Sequence, residues 1–327
     1  MFVSYKKDIM DTESNFRTMT TVMQGVSEDI TSRAAIGGID FLGIPSGFKK
    51  LDDATLGFRN NAFYVVGAAT SVGKSSWGTS AMLNMARPSK YLANGSKVLY
   101  ITLEMNADLL VYRLLSSITR IPSLDIERGR FKEGEEMEVR RAQDELNSLP
   151  ITFVDESLNT TTLLRTLHEA KDKDLVDIVI LDYLTLVQTD GGSKISAYER
   201  VTAISEFVRI AARDLNIPFI TLVQLNRNID GREDKTPLLS DIRDSGGIAQ
   251  DAHAVILLSR PQYYERQLQG GEYMNEEKNA TMILAKNRQG PVGGLPVTFV
   301  NDRMEWLDPY VEQQAPRNLR DMVRTPR

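Results

Sequence analysis

Phe63-Tyr-Val-Val-Gly-Ala-Ala-Thr-Ser-Val-Gly-Lys-Ser-Ser76 is the stretch whose reading decides the fold. The apolar, β-branched run ending at Val66 reads as a strand, and Ser75-Ser-Trp-Gly-Thr-Ser-Ala-Met-Leu-Asn-Met-Ala86 reads as a helix. Gly73, Lys74 and Ser75 then fall at a helix N-terminus, where unpaired backbone N–H groups and the positive end of the helix dipole favour an anion. Ala68, Ala69, Thr70, Ser71, Val72, Gly73, Lys74, Ser75 and Ser76 are therefore the expected nucleotide-binding loop. In such a loop Lys74 reaches the β- and γ-phosphates of ATP, and the Ser75 hydroxyl ligates Mg²⁺. One position departs from the G-x-x-x-x-G-K-[ST] pattern: Ala68 stands at its first glycine, and Gly67 comes one residue too early. A Gly-Lys-Ser turn without a ligand is the competing reading, and the flanking strand and helix weigh against it.

The remaining composition narrows the class. A chain of 327 residues, 42% hydrophobic and 25% charged, is long enough to bury a sizeable core in one or two domains. No apolar run approaches the ~18 residues that cross a bilayer, and Met1-Phe-Val-Ser-Tyr-Lys-Lys-Asp8 lacks a signal-peptide core. The expected localisation is cytoplasmic. Without cysteine there is no disulfide or thiolate site, and His168 and His253 are the only histidines, which argues against zinc. A net charge of −5 has the wrong sign for a protein coated in nucleic acid. Contact with DNA must use a local basic stripe rather than the global field.

Before the loop, Phe16, Met19, Met23, Val26 and Ile30 recur at helical spacing in an otherwise polar segment. They form the narrow apolar seam of a docking helix within residues 1–36, and Gly37-Gly38 reads as a linker. After the loop, strands are expected at Val98 to Thr102, Ile151 to Val154, Ile178 to Leu181, Phe219 to Val223, Ala254 to Leu258, Thr281 to Ala285 and Pro296 to Val300. Helices are expected at Ala107 to Ile118, Gly134 to Leu146, Thr161 to Asp172 and Ser196 to Leu215. The alternation predicts an α/β fold with a mainly parallel sheet covered on both faces, and the last strands, with no long helix between them, predict hairpins at one edge. Residues 309–327, with Arg317, Arg320, Arg324 and Arg327, read as a basic, mobile tail.

Ligands of an open α/β sheet bind beyond the carboxyl ends of its strands. Val98-Leu-Tyr-Ile-Thr102 is followed by Leu103 and Glu104, Asp177-Ile-Val-Ile-Leu181 by Asp182, and Phe219-Ile-Thr-Leu-Val223 by Gln224. An acid closing an apolar strand suits a Mg²⁺ ligand, which assigns Asp182 beside Ser75 as the metal residues. Glu104 is then the candidate general base for the attacking water, and Gln224 the γ-phosphate sensor. Taken singly, each reads as well as a cap or turn residue.

Gly43-Ile-Pro-Ser-Gly-Phe-Lys-Lys-Leu-Asp52, Ala68-Ala-Thr-Ser-Val-Gly-Lys-Ser75, Thr102-Leu-Glu-Met105, Ile180-Leu-Asp-Tyr-Leu184, Gln224-Leu-Asn-Arg227, Ser240-Asp-Ile-Arg-Asp-Ser-Gly-Gly-Ile-Ala-Gln-Asp-Ala252 and Lys286-Asn-Arg-Gln-Gly-Pro-Val-Gly293 follow one another in order. From Gly43 to Val300 the chain resembles the C-terminal motor domain of DnaB-type replicative DNA helicases. The resemblance implies a RecA-like P-loop ATPase over residues 37–308 that assembles as a homo-hexameric ring and translocates 5′ to 3′ on single-stranded DNA. It implies that Glu104 is the catalytic base and that Lys286 and Arg288 reach into the neighbouring subunit's site. It also implies that Arg243, Asp244 and Gly246 contact DNA in the central channel. Without the resemblance, Lys286 and Arg288 read as a solvated strand end.

Only about 36 residues precede the motor, against the family's N-terminal domain of well over a hundred. This puts a collar and a primase contact in doubt and suits either a naturally short phage or plasmid form or a piece cut from a longer chain, in a bacterial, phage or plasmid context; a helicase loader stays open as a partner. The alternative is a RecA-like DNA-binding or regulatory ATPase that assembles without unwinding. A small-molecule P-loop kinase is less favoured, because no separate lid or acceptor pocket is apparent.

Overall fold

Nine apolar segments form strands: β1 (Phe63–Ala68), β2 (Val98–Thr102), β3 (Ile151–Val154), β4 (Ile178–Asp182), β5 (Phe219–Gln224), β6 (Ala254–Ser259), β7 (Glu276–Asn287), β8 (Gly293–Val300) and β9 (Glu305–Leu307). These come from a computed structural model that describes residues 16–188, 196–242, 247–269 and 275–312. The helices are α1 (Met19–Ala35), α2 (Lys49–Thr55), α3 (Lys74–Ala86), α4 (Ala107–Thr119), α5 (Ser123–Glu127), α6 (Glu135–Ser148), α7 (Thr160–Asp172), α8 (Ala197–Asp214), α9 (Ile248–Asp251), α10 (Pro261–Gln269) and α11 (Pro309–Glu312).

The strands join in one sheet of order β3-β2-β4-β5-β1-β6-β7-β8-β9. From β3 to β6 every pairing is parallel, and β7, β8 and β9 extend it as antiparallel strands. β1 lies inside the sheet and is buried at all six positions, as a strand covered on both faces requires. Its side chains alternate between two cores. Tyr64, Val66 and Ala68 share one with Trp77 and Met82 of α3 and Leu110 and Leu114 of α4. Phe63 and Val65 share the other with Leu163 and Leu167 of α7 and Ile204 and Val208 of α8. The doubly covered sheet and the antiparallel edge are as expected, and among the described residues the nine-residue α10 is the one helix between β6 and β7.

Two strands are longer than the sequence patterns suggest. β7 starts five residues before Thr281, across Glu276-Glu-Lys-Asn279. Charge marks that run as a loop, yet Glu277 is fully buried and paired with Arg260. β8 starts at Gly293, ahead of Pro296. β9 pairs only with Thr298, Phe299 and Val300, so Pro296 has a partner strand on the β7 side alone, an edge position of the kind that tolerates proline.

Met1–Leu42 forms a unit of its own, apart from Gly43–Arg327. Within it, Thr18 caps α1 by accepting from the Thr21 N–H, and Gly37 and Gly38 end it at φ +80° and +91°, in the left-handed region that suits glycine. α1 buries none of its own residues. Of the basic tail expected over 309–327, Pro309–Glu312 is instead the short helix α11, and residues 313–327 lie outside the described residues.

Candidate nucleotide-binding site

The parallel register sets the site. Ala68 of β1 is level with Gln224 of β5, and Thr102 of β2 with Asp182 of β4. The carboxyl ends of four neighbouring strands thus bring the phosphate loop, Gln224, Asp182 and, two residues past β2, Glu104 to one edge. A cavity of about 270 Å³ opens there, lined by the loop together with Glu104, Met105, Arg113, Gln224 and Met304.

The loop has the backbone that an anion cradle needs. Gly73, the N-cap of α3, lies at φ +106°, and Lys74 and Ser75 open the helix, so their N–H groups are among those without an intrahelical partner. Among the described residues, Ser76 Oγ is buried with no hydrogen-bond partner. Lys74 Nζ lies 3.1 Å from Glu104 Oε2 and 3.1 Å from Asp182 Oδ1, and 3.6 Å from the centre of the Tyr183 ring. Gln224 Nε2 donates to Thr70 Oγ1 at 2.7 Å.

Asp182 is fully buried. Tyr100 OH donates to its Oδ2 at 3.1 Å, while Oδ1 has no aligned hydrogen-bond donor. The Lys74 ammonium is within ion-pair distance of Oδ1 but off the hydrogen-bonding direction, so that oxygen is held by charge alone. Burial, then the Asp182 carboxylate, pushes the Tyr100 hydroxyl well above its ordinary value, which keeps it a donor. Gly78 of α3 makes room for it, since a Cβ there would meet the Tyr100 oxygen at 2.7 Å.

An orphaned carboxylate oxygen near a helix-start serine fits a divalent cation that takes its remaining ligands from water and phosphate. No cluster of three acidic or histidine side chains capable of holding a metal alone occurs among the described residues. Ser75 and Asp182 are the side chains that fit Mg²⁺.

Arg113 is a wall residue that the sequence reading did not single out. It comes from α4, between the buried Leu110 and Leu114. Burial lowers its pKa, against the raising influence of Tyr100, Asp182 and Glu104. The signal was available: a guanidinium on the apolar stripe of an amphipathic helix is expensive unless something anionic faces it. A second cavity of about 480 Å³ adjoins the first and shares Met105, Arg113 and Met304 with it.

Lys286 and Arg288 lie elsewhere. Lys286 pairs with Val255 on β6, which is level with Val65 on β1, whereas the loop begins after Ala68. Three residues of strand put Lys286 roughly 10 Å short of the loop's start, and β7 runs away from it, so Arg288 is farther still. Lys286 Nζ donates to the carbonyls of Ala249 and Gln250 at 2.6 and 2.9 Å, and Arg288 Nη2 to that of Gln250 at 2.7 Å. Neither lines the cavity of its own chain. Beside them, His253 Nδ1 accepts the Phe63 N–H at 3.1 Å. Arg243, Asp244 and Gly246 lie outside the described residues. The flanking Ile242 bridges to Leu225, the residue after Gln224.

Known proteins share the fold that carries this site. Among solved structures, one of an ATPase domain superposes with a TM-score of 0.78 at 27% identity, covering 90% of this chain and 99% of that one. A second, "The Structure Of A DnaB-Like Replicative Helicase And Its Interactions With Primase", gives a TM-score of 0.75 at 27% identity over 93% of this chain and 70% of that one. The replicative DNA helicase DnaB of Helicobacter pylori is 33% identical over 318 residues, 88% of this chain and 64% of the relative. The replicative DNA helicase DnaC of Bacillus subtilis is 34% identical over 272 residues, 82% of this chain and 57% of the relative. The chain thus spans less than two thirds of the length of these curated relatives. Residues 43–308 match the family described as the DnaB-like helicase C terminal domain, and the chain belongs to that family.

Proposed function

We propose that the chain is the motor of an ATP-driven, ring-forming replicative DNA helicase that translocates on single-stranded DNA, 5′ to 3′ as the family resemblance implies. The observation that carries the reading is that Lys286, level with the middle of β1, and Arg288, beyond it, stand away from their own phosphate loop and do not line its cavity. Cations that do not line the cavity of their own chain are available to the cavity of a second copy.

In the proposed site the loop amides and Lys74 hold the β- and γ-phosphates, and Arg113 adds positive charge on the cavity wall. Ser75, with Asp182 directly or through water, would hold Mg²⁺, which when bound would supply charge neutralisation at the phosphates. Lys74 exchanges its two carboxylates for phosphate when nucleotide enters, which frees Glu104 to orient a water and take its proton. Gln224 leaves Thr70 to bond the γ-phosphate. From the adjacent subunit, Lys286 and Arg288 stabilise the charge that shifts in the transition state; such a cation is worth about 10³–10⁵ in rate.

Arg243, Asp244 and Gly246 are proposed to contact the DNA backbone, Arg243 by charge and Gly246 by close backbone approach. Residues 1–36 are proposed to dock on the adjacent subunit, 37–308 to form the motor, and 313–327 to trail as a basic tail. Removing residues 1–36 should abolish rings in sedimentation; intact hexamers would rule out that docking. The reading places the protein in the cytoplasm of a bacterial, phage or plasmid system, with a loader to open the ring.

A strand-displacement assay on a forked duplex tests the proposal. ATP-dependent unwinding supports it, and DNA-stimulated hydrolysis without displacement would replace it with an assembly ATPase.

A further inference from the structure

Two carbonyl oxygens of the phosphate loop are held from behind by side chains with no part in the site described above. Arg260, the residue after β6, is 2% exposed, and its Nη1 donates to Val72 O at 3.1 Å. Trp306 of β9, 1% exposed, donates from Nε1 to Gly73 O at 2.9 Å. Both donors are fixed. Arg260 makes a two-pronged bond to the fully buried Glu277 at 2.9 and 2.8 Å and a further bond to Asn301 Oδ1 at 2.7 Å. Its guanidinium also lies 3.6 Å from the centre of the Phe299 ring. The Trp306 backbone N–H donates to Ser80 Oγ of α3 at 3.0 Å, and its ring meets Phe299 edge-on, 5.1 Å between centroids. The pair closes directly on the loop, since a Cβ on Gly73 would lie 2.9 Å from Phe299 Cε2 and 3.2 Å from Trp306 Nε1.

Peptide planarity turns this into a statement about the ligand side. In a trans peptide the C=O of one residue and the N–H of the next point in opposite directions. A Val72 carbonyl drawn back to Arg260 aims the Gly73 N–H away from Arg260, and a Gly73 carbonyl shared between the Trp77 N–H of α3 and Trp306 Nε1, each at 2.9 Å, turns the Lys74 N–H away from both. Gly73 and Lys74 line the cavity, whereas Val72 does not. We propose that Arg260 and Trp306 are positioning residues that lock two phosphate-loop peptides with their N–H groups facing the nucleotide's β-phosphate. Other groups could have filled the space behind the loop. A buried Arg–Glu pair is a costly way to do so unless its remaining donor has a task.

The inference rests on reading residues 68–76 as a phosphate loop, and the test separates the two. Affinities of AMP and ADP with Mg²⁺ are measured by competition against a fluorescent ADP for wild type, Trp306→Phe and the double variant Arg260→Met with Glu277→Gln, which leaves no unpaired buried charge. Phenylalanine keeps the ring contact and removes the N–H. Each variant should lose about tenfold of the affinity gained from AMP to ADP, the worth of one well-placed hydrogen bond, while AMP binding stays as in wild type. A full gain in Trp306→Phe overturns the inference, as does an equal loss for AMP and ADP, which marks a general loss of structure. Should the double variant fail to fold, Trp306→Phe alone decides. A wild type that gains nothing from AMP to ADP defeats the phosphate-loop reading and, with it, the inference.

Discussion

Lys74→Ala should destabilise the protein in the absence of nucleotide, which is the reverse of what removing a strained catalytic group usually does. Among the described residues Lys74 is the one cation within ion-pair distance of Asp182, and the two side chains are 10% and 0% exposed. Deleting one partner of a buried pair costs about 3–5 kcal/mol, because the other is left charged and unpaired. Its second pair, with the 47% exposed Glu104, adds only about 0–1 kcal/mol. A unit the size of Gly43–Arg327 unfolds with an entropy of about 0.6 kcal/mol/K, so the buried pair alone lowers the thermal midpoint by about 5–8 °C. Calorimetric melting without nucleotide measures it, and adding Asp182→Asn, which removes the orphaned charge, should recover most of the loss. MgADP at a hundredfold excess over its Kd should stabilise wild type by about 2.7 kcal/mol and Lys74→Ala not at all. A Lys74→Ala protein melting at or above the wild-type midpoint would refute the argument that Asp182 depends on Lys74 as its counter-ion.

Glu104→Gln should keep nucleotide affinity and lower turnover by about 10²–10⁴-fold; wild-type hydrolysis in this variant removes Glu104 as the base. Mixing Arg288→Ala with Lys74→Ala subunits should restore part of the hydrolysis that each lacks alone, since one supplies the loop and the other the cation; no recovery in mixed rings verified by mass argues against action between subunits. Burial, then Arg288, lowers the His253 pKa from its ordinary 6.5, so below that pH the unfolded chain takes up a proton that the folded chain refuses, and stability falls as pH drops. His253→Asn, whose Oδ1 can accept the Phe63 N–H in place of Nδ1, should flatten the decline in urea midpoint between about pH 7 and pH 5; an unchanged slope assigns it to other groups.

The strands were legible in the sequence because buried parallel strands are short apolar runs, and Val98–Thr102 and Ile151–Val154 fall where the pattern puts them. The polar residues closing those runs were legible for the same reason: Glu104, Asp182 and Gln224 stand where apolar patterning stops, and the parallel register gathers them at one edge. Residues whose role depends on a distant partner were not. Arg260 followed by Pro261 reads as a solvated strand end, and Glu277 between Glu276 and Lys278 as part of a charged loop. Only the fold brings these two together across 17 residues of chain in a fully buried pair. Arg113 and Trp306 were missed likewise, because helical or strand periodicity gives the face of a side chain but not what lies opposite it.

β7 gives this arrangement a further consequence for a ring of such subunits. Near its start Glu277 holds Arg260, which braces the chain's own phosphate loop, and near its end it carries Lys286, with Arg288 just beyond. Nine residues of strand separate Glu277 from Lys286, a span of about 30 Å. β7 pairs with β8 between Glu276 and Leu284 and with β6 between Thr281 and Asn287, each ladder with one register shift, so Thr281–Leu284 is held on both flanks and each end of the strand on one. Under the proposed function, the brace behind one nucleotide and the cations offered to the next belong to a single strand, pinned on both sides at its centre. The distance between successive sites is then set by covalent geometry and sheet pairing, and what varies during turnover is the contact between subunits.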